Sequence, residues 1–151
     1  MKKPIKLKNG EEIWLADLYD EYNQLYFNGK LRKCRLYTYK GRRSFGMFLG
    51  KRWKNNGYIY KLSIGIAKNV DWTIEDLRDV LVHEMVHVYL NCQKNPPKRQ
   101  HSKEFKAFCR PLEAKYGLNL TRKLKHLDFN DIVKPTNPFS YIKYWIKRYI
   151  L

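Results

Sequence analysis

The sequence predicts an α+β domain in which three main helices pack against a small antiparallel sheet. Three observations carry this. Apolar residues recur at helical spacing in three stretches, segments between the first two of them alternate as strands do, and glycines or capping residues mark the boundaries. The chain has 151 residues, 44% of them hydrophobic and 15% aromatic, which suits one globular domain with a buried core and excludes a disordered chain.

The first helix is expected from about Glu11 to Phe27, after the Asn9-Gly10 turn. Glu11 and Glu12 would then place negative charge at its start, and Asn28-Gly29 would end it, with the glycine in the left-handed position. Lys33 to Tyr39, Ser44 to Leu49 and Tyr58 to Ala67 read as strands, with Asn55-Asn56-Gly57 turning the last two into a hairpin. Thr73 is the expected N-cap of the second helix, whose opening turns carry Glu75, Asp76 and Asp79. Beyond the Pro96-Pro97 loop, Ser102 caps a third helix that runs to about Tyr116 and stops at Gly117.

The second helix contains His83-Glu84-Met85-Val86-His87, an H-E-x-x-H pattern. At about 100° per residue, the two imidazoles stand roughly 40° apart on one face, and Glu84 lies roughly 60° to one side of His87. That spacing suits a zinc hydrolase, with two neutral imidazoles on the metal and a carboxylate beside the water it activates. Leu77, Val80, Leu81, Val82, Met85, Val86, Val88, Tyr89 and Leu90 leave this helix without a polar face. Such a helix is buried, so it is expected at the centre of the core. Two core histidines hydrogen-bonded to neighbours are the plainer alternative. For a third ligand His101 stands nearest, Glu104 and Glu113 are rivals, His126 is distant, and Cys92 lies on the wrong side of the helix. Leu90 and Gln93 occupy the places of the glycine and third histidine of a metzincin, which excludes that arrangement.

The net charge of +17 is large for this length and suits a polyanion, most readily nucleic acid. Twelve cations and no acid lie between Glu21 and Asp71, interleaved with Tyr37, Tyr39, Phe45, Phe48, Trp53, Tyr58 and Tyr60. The aromatics are expected to face inward, with the cations forming an outer face. The competing arrangement is a platform for single-stranded nucleic acid, cations on phosphates and rings on bases. Cys34, Cys92 and Cys109 are odd in number and widely spaced, which points to free thiols in a reducing compartment. Met1 to Lys8 lacks the apolar run of a signal peptide, and no stretch reaches membrane-spanning length, so a cytoplasmic or nucleoid- or nuclear-associated protein is expected. Phe139 to Leu151 fits a helical face and a strand alternation equally well.

Several of these segments together resemble the SprT-like metalloproteases, the Spartan group. Leu18-Tyr19, Tyr22-Asn23 and Tyr26 to Leu31 resemble the family's opening helix, and Arg43-Ser44-Phe45-Gly46 its R-[TS]-x-G strand. Leu62-Ser63-Ile64 resembles a further strand, Asp79 to His87 the catalytic helix, and His101 to Phe105 the H-[GN]-x-x-F segment, with Ser102 replacing the usual glycine. The resemblance runs roughly from Leu15 to Gly117. It implies a short zincin-like fold with zinc on His83, His87 and His101, and Glu84 as the catalytic base.

It also implies an endopeptidase for proteins bound or crosslinked to DNA, in which zinc-activated water attacks the peptide carbonyl. Many members carry a C-terminal zinc ribbon, for which this chain lacks the cysteines. DNA, single- or double-stranded, would therefore meet the core or the tail, and charge favours the core, with Arg42, Arg43, Lys51, Arg52 and Lys54 as candidate contacts. The expected organisation is a SprT-like domain over residues 1–120 and a basic, aromatic extension over 121–151. The rival function is a nucleic-acid-binding module with a purely structural zinc. A weaker third reading places the C-terminal aromatic stretch on a membrane surface.

Overall fold

A tight turn at Asn9-Gly10, with Gly10 at φ 92°, folds the first residues back on themselves. In this computed structural model, which describes residues 3–130, β1 (Ile5–Lys6) pairs antiparallel with β2 (Glu12–Ile13), Ile5 opposite Ile13. Burial of Ile5 in the core drives that pairing and corrects the expected start of the first helix. Glu11 and Glu12 belong to the ladder and its turn, and α1 spans Leu15–Phe27 with Asp17 as its first-turn acid. It ends at Phe27 as expected, and the left-handed turn begins already at Asn28, at φ 54°, with Gly29 following at 72°. The Asn23 side chain then clamps the exit, accepting from Leu31 N and donating to Leu31 O.

Three strands form the main sheet: β3 (Arg35–Tyr39), β4 (Gly46–Arg52) and β5 (Ile59–Ala67), in the order β3-β5-β4. The expected all-antiparallel sheet is thus corrected. The β4–β5 hairpin is antiparallel, but β3 runs parallel to β5. Alternation identifies a strand without revealing its neighbour. The better sign was the unbroken run Leu62 to Ala67, buried throughout as central strands are.

One face of the sheet carries α2 (Ile74–Asn91), with α3 (Lys103–Tyr116) beside it. Both N-caps are the expected ones. Thr73 Oγ1 accepts from Asp76 N at 3.2 Å and Ser102 Oγ from Phe105 N at 3.3 Å. α2 is buried from Leu77 to Val88 except at Arg78 and His83, which are partly exposed. Its last turn carries no basic residue, and Arg52 from β4 reaches across to donate to the Asn91 carbonyl.

After Gly117 the chain turns back over the start of α2, burying Leu118, Leu120, Leu127 and Phe129. The buried Asn69 ties this return together, accepting from Gly41 N and donating to the Gly41 and Asn130 carbonyls. The Phe139 to Leu151 stretch lies outside the described residues.

Candidate metal centre and active site

His83 and His87 project from one face of α2, one helical turn apart, and His101, immediately before the N-cap of α3, meets them. Their candidate donor nitrogens all lie within 4.8 Å of one another. His83 Nδ1 is 2.6 Å from the Leu120 carbonyl. A carbonyl only accepts, so Nδ1 carries the proton and the Nε2 lone pair faces the cluster. That lone pair lies 3.1 Å from His101 Nε2.

One side chain sets the packing of all three rings. Phe105 stacks on His87 with centroids 4.5 Å apart and meets His83 and His101 at 4.9 and 5.1 Å. Phe48 of β4 covers the other side of His87, which is 3% exposed. Burial holds the imidazoles neutral, lowering His83 to about 4 and His87 to about 3, with each helped by a neighbouring histidine. For His101 burial also lowers the pKa, joined by the nearby Lys106 charge.

This donor set fits a metal ion. Three neutral imidazoles, one with its tautomer fixed by a carbonyl, are a common ligand set. A tetrahedral ion with N donors at about 2.0–2.1 Å needs N···N separations of roughly 3.3 Å, close to what His83 and His101 already present. Among the described residues no fourth His, Cys, Asp or Glu joins the group.

Glu84 is 7% exposed and borders the same cleft. Among the described residues no hydrogen-bond donor reaches its carboxylate, and burial pushes its pKa up to about 8. Gly46 lies against it. A Cβ there would fall 3.1 Å from Glu84 Oε1 and 2.8 Å from Val80 Cγ1, so only glycine lets β4 approach this closely. The cleft measures about 720 Å³ and is walled by Phe45, Val80, Phe105 and Leu124, with Arg43, Lys106, Arg122 and Lys123 also facing it.

The rival ligands have other tasks. Glu113 accepts from Leu120 N at 3.0 Å and from Thr121 Oγ1, holding both sides of the residue whose carbonyl orients His83. Glu104 is exposed in the first turn of α3, where its own backbone N–H, and after it the Ser102 hydroxyl, hold its carboxyl below the usual range. His126 pairs with Asp76 at 2.8 Å, away from the cluster. Phe105, Gly46 and the Leu120 carbonyl were not singled out as site components by spacing or charge. Phe105 and Gly46 stood in the sequence only as positions of the H-[GN]-x-x-F and R-[TS]-x-G segments, with no role in the site attached to them.

The candidate nucleic-acid contacts divide between the two ends of β4. Arg42 and Arg43 precede it, with Arg43 in the cleft wall, while Lys51, Arg52 and Lys54 lie at its far end. Arg52 is engaged with the Asn91 and Gly57 carbonyls, and the others are exposed. The expectation that the aromatics face inward holds for Phe45 and Phe48, which pack on the core, and fails at the hairpin. Trp53, Tyr58 and Tyr60 are 54%, 74% and 50% exposed.

Fold and site together define an α+β domain with three histidines placed to hold a metal ion beside a buried carboxylate. The chain belongs to the SprT-like family, whose model matches residues 15–126, and is a metalloprotease-like domain by that membership. No curated protein matches it. Among the described residues no helix is long and apolar enough to cross a membrane.

Proposed function

We propose that this protein is a zinc-dependent endopeptidase acting on proteins associated with or crosslinked to DNA, in a short zincin-like fold. The observation that carries the protease reading is Glu84, a buried carboxylate with no donor among the described residues, in the same cleft wall as His83 and His101.

His83, His87 and His101 would hold the ion, which when bound polarises a carbonyl and lowers the pKa of a water towards about 7. Every other part comes from the chain. Leu120 and Glu113 fix the His83 ring, and Phe105 and Phe48 hold His87 between them. Glu84 takes the proton of the attacking water and returns it to the leaving amine. Its raised affinity for a proton suits the first half of that exchange.

The rim of β4 positions the substrate. Among the described residues its outer edge pairs with no strand, so it offers backbone donors and acceptors to an extended peptide running past Glu84. A structural zinc would take four protein ligands, and the described residues supply three, which favours catalysis over the purely structural site. The DNA part of the reading is supported by the charge of +17 and the acid-free stretch between Glu21 and Asp71. Such a substrate places the protein in the cytoplasm, at the nucleoid or in the nucleus.

Glu84→Gln tests the assignment. It should keep zinc and fold while losing peptide-bond cleavage by about 10²–10⁴-fold, the usual contribution of a general base. Digestion at the parent rate would remove Glu84 from catalysis, and loss of zinc would make it structural.

A further inference from the structure

The β4–β5 hairpin carries a feature that neither the core nor the cleft explains. Trp53 and Tyr60 stack on each other with centroids 4.3 Å apart and planes 27° from parallel, yet both are about half exposed. Tyr58, in the same hairpin, is the most exposed large apolar side chain among the described residues. Three aromatic rings in water on one hairpin are an interaction surface rather than core.

The charges around them say what kind. Lys51 and Lys61 are direct cross-strand partners in the β4–β5 register, and both are exposed. Like charges in that position destabilise a sheet. Lys54 extends the same charge into the turn, and no acidic residue occurs in sequence from Tyr22 to Val70 to offset it. A β-bulge between Lys51 and Arg52 breaks the alternation here, so that Tyr60 and Lys61 are both exposed while Ile59 and Leu62 are buried. Rings and ammonium groups are thereby offered together.

We propose that this hairpin is a binding platform for single-stranded nucleic acid, in which unpaired bases stack on Trp53, Tyr60 and Tyr58. Lys51, Lys54 and Lys61 meet the phosphates, relieving the Lys51–Lys61 repulsion. Duplex is the poorer ligand because its base faces are already stacked. The proposal rests on the nucleic-acid part of the function above and is independent of the protease part.

The test is binding of the full chain to an oligothymidine of roughly 20 nucleotides, longer than the ~4–16 covered by one single-strand site. A duplex of equal length is measured beside it, both over a range of salt. The parent should prefer the single strand. Trp53→Ala and Tyr60→Ala should each weaken its binding by about 5- to 150-fold, the usual worth of one stacked base, while leaving the salt slope unchanged. Trp53→Phe, which keeps a ring, should retain most of the affinity and also guards against misfolding of the alanine variants. Lys51→Glu with Lys61→Glu should instead flatten the slope by roughly 0.7 for each phosphate left without its cation. Glu84→Gln should bind as the parent does, whatever its proteolytic rate.

Parent-like single-strand affinity in the alanine variants, or equal affinity of the parent for duplex, would overturn the platform while leaving charge-driven DNA binding intact. Absence of binding to either oligonucleotide at physiological salt would overturn both nucleic-acid readings. So would binding only to vesicles containing phosphatidylserine, which would assign the hairpin to a membrane surface.

Discussion

At the scale of single residues, the site depends on atoms with one defined task each. His101 closes the histidine group, whereas His126 is hydrogen-bonded to Asp76 at the start of α2. His101→Ala should therefore weaken zinc binding by more than the ~10–100-fold that an outer-sphere partner is worth. His126→Ala should leave zinc affinity at the parent level, because His126 is no part of the histidine group. Equal zinc retention by the two variants, measured by metal analysis after dialysis, would take His101 out of the site. Gly46 gives a second test. A methyl group there meets Val80 and the Glu84 carboxylate, so Gly46→Ala should keep zinc yet displace the base. A misplacement of that kind costs up to about 10²-fold in rate. Parent-like digestion by a zinc-loaded Gly46→Ala protein would show that Glu84 has room to spare.

At the scale of elements, the C-terminal end of α2 is met by a residue from β4. Arg52 brings its guanidinium to the Asn91 carbonyl, at the helix end where the macrodipole is negative and no basic residue of α2 is present. Its neighbour Lys54 is exposed in the turn. Arg52→Ala should lower thermal stability by about 1.5–3 kcal/mol, the range for hydrogen bonds to a charged group, whereas Lys54→Ala should change it by less than about 0.5 kcal/mol. Equal melting temperatures would return Arg52 to the free surface cations. The element scale also shows what patterning conveys. Thr73, Ser102 and Gly117 mark their helix ends correctly because a cap is a contact within a few residues. Glu11-Glu12 misleads because β1, whose Ile5 is buried opposite Ile13, claims this stretch through tertiary burial that helix propensity does not include.

At the scale of the whole molecule, charge sets the behaviour. Arg42 and Arg43 lie at one end of β4 and Lys51 and Lys54 at the other, roughly 23 Å apart along a seven-residue strand, a span that a nucleic-acid backbone can follow. Changing these four to Glu, with Arg52 left in place, should weaken DNA binding and flatten its log–log salt slope by roughly 0.7–0.9 for each phosphate no longer neutralised. Zinc content should not change, and any stimulation of proteolysis by DNA should fall in parallel. Removal of residues 139–151 is the control. If that deletion abolishes binding and the four reversals do not, the DNA site belongs to the C-terminal stretch.

The sequence by itself determined the chemistry on α2. A helix fixes the geometry of residues four apart, so His83, Glu84 and His87 were legible as a unit, and the apolar surround of the helix made its burial legible too. Only the tertiary structure decided the rest. That β3 runs parallel to β5, that Gly46 makes room for Glu84, that Glu113 and Leu120 orient His83, and that Trp53 and Tyr60 face solvent are contacts between distant parts of the chain. Periodicity reports which residues share a face of their own element. What that face meets is set by the packing of all the elements together, and one β-bulge was enough to turn Tyr60 outward with Lys61.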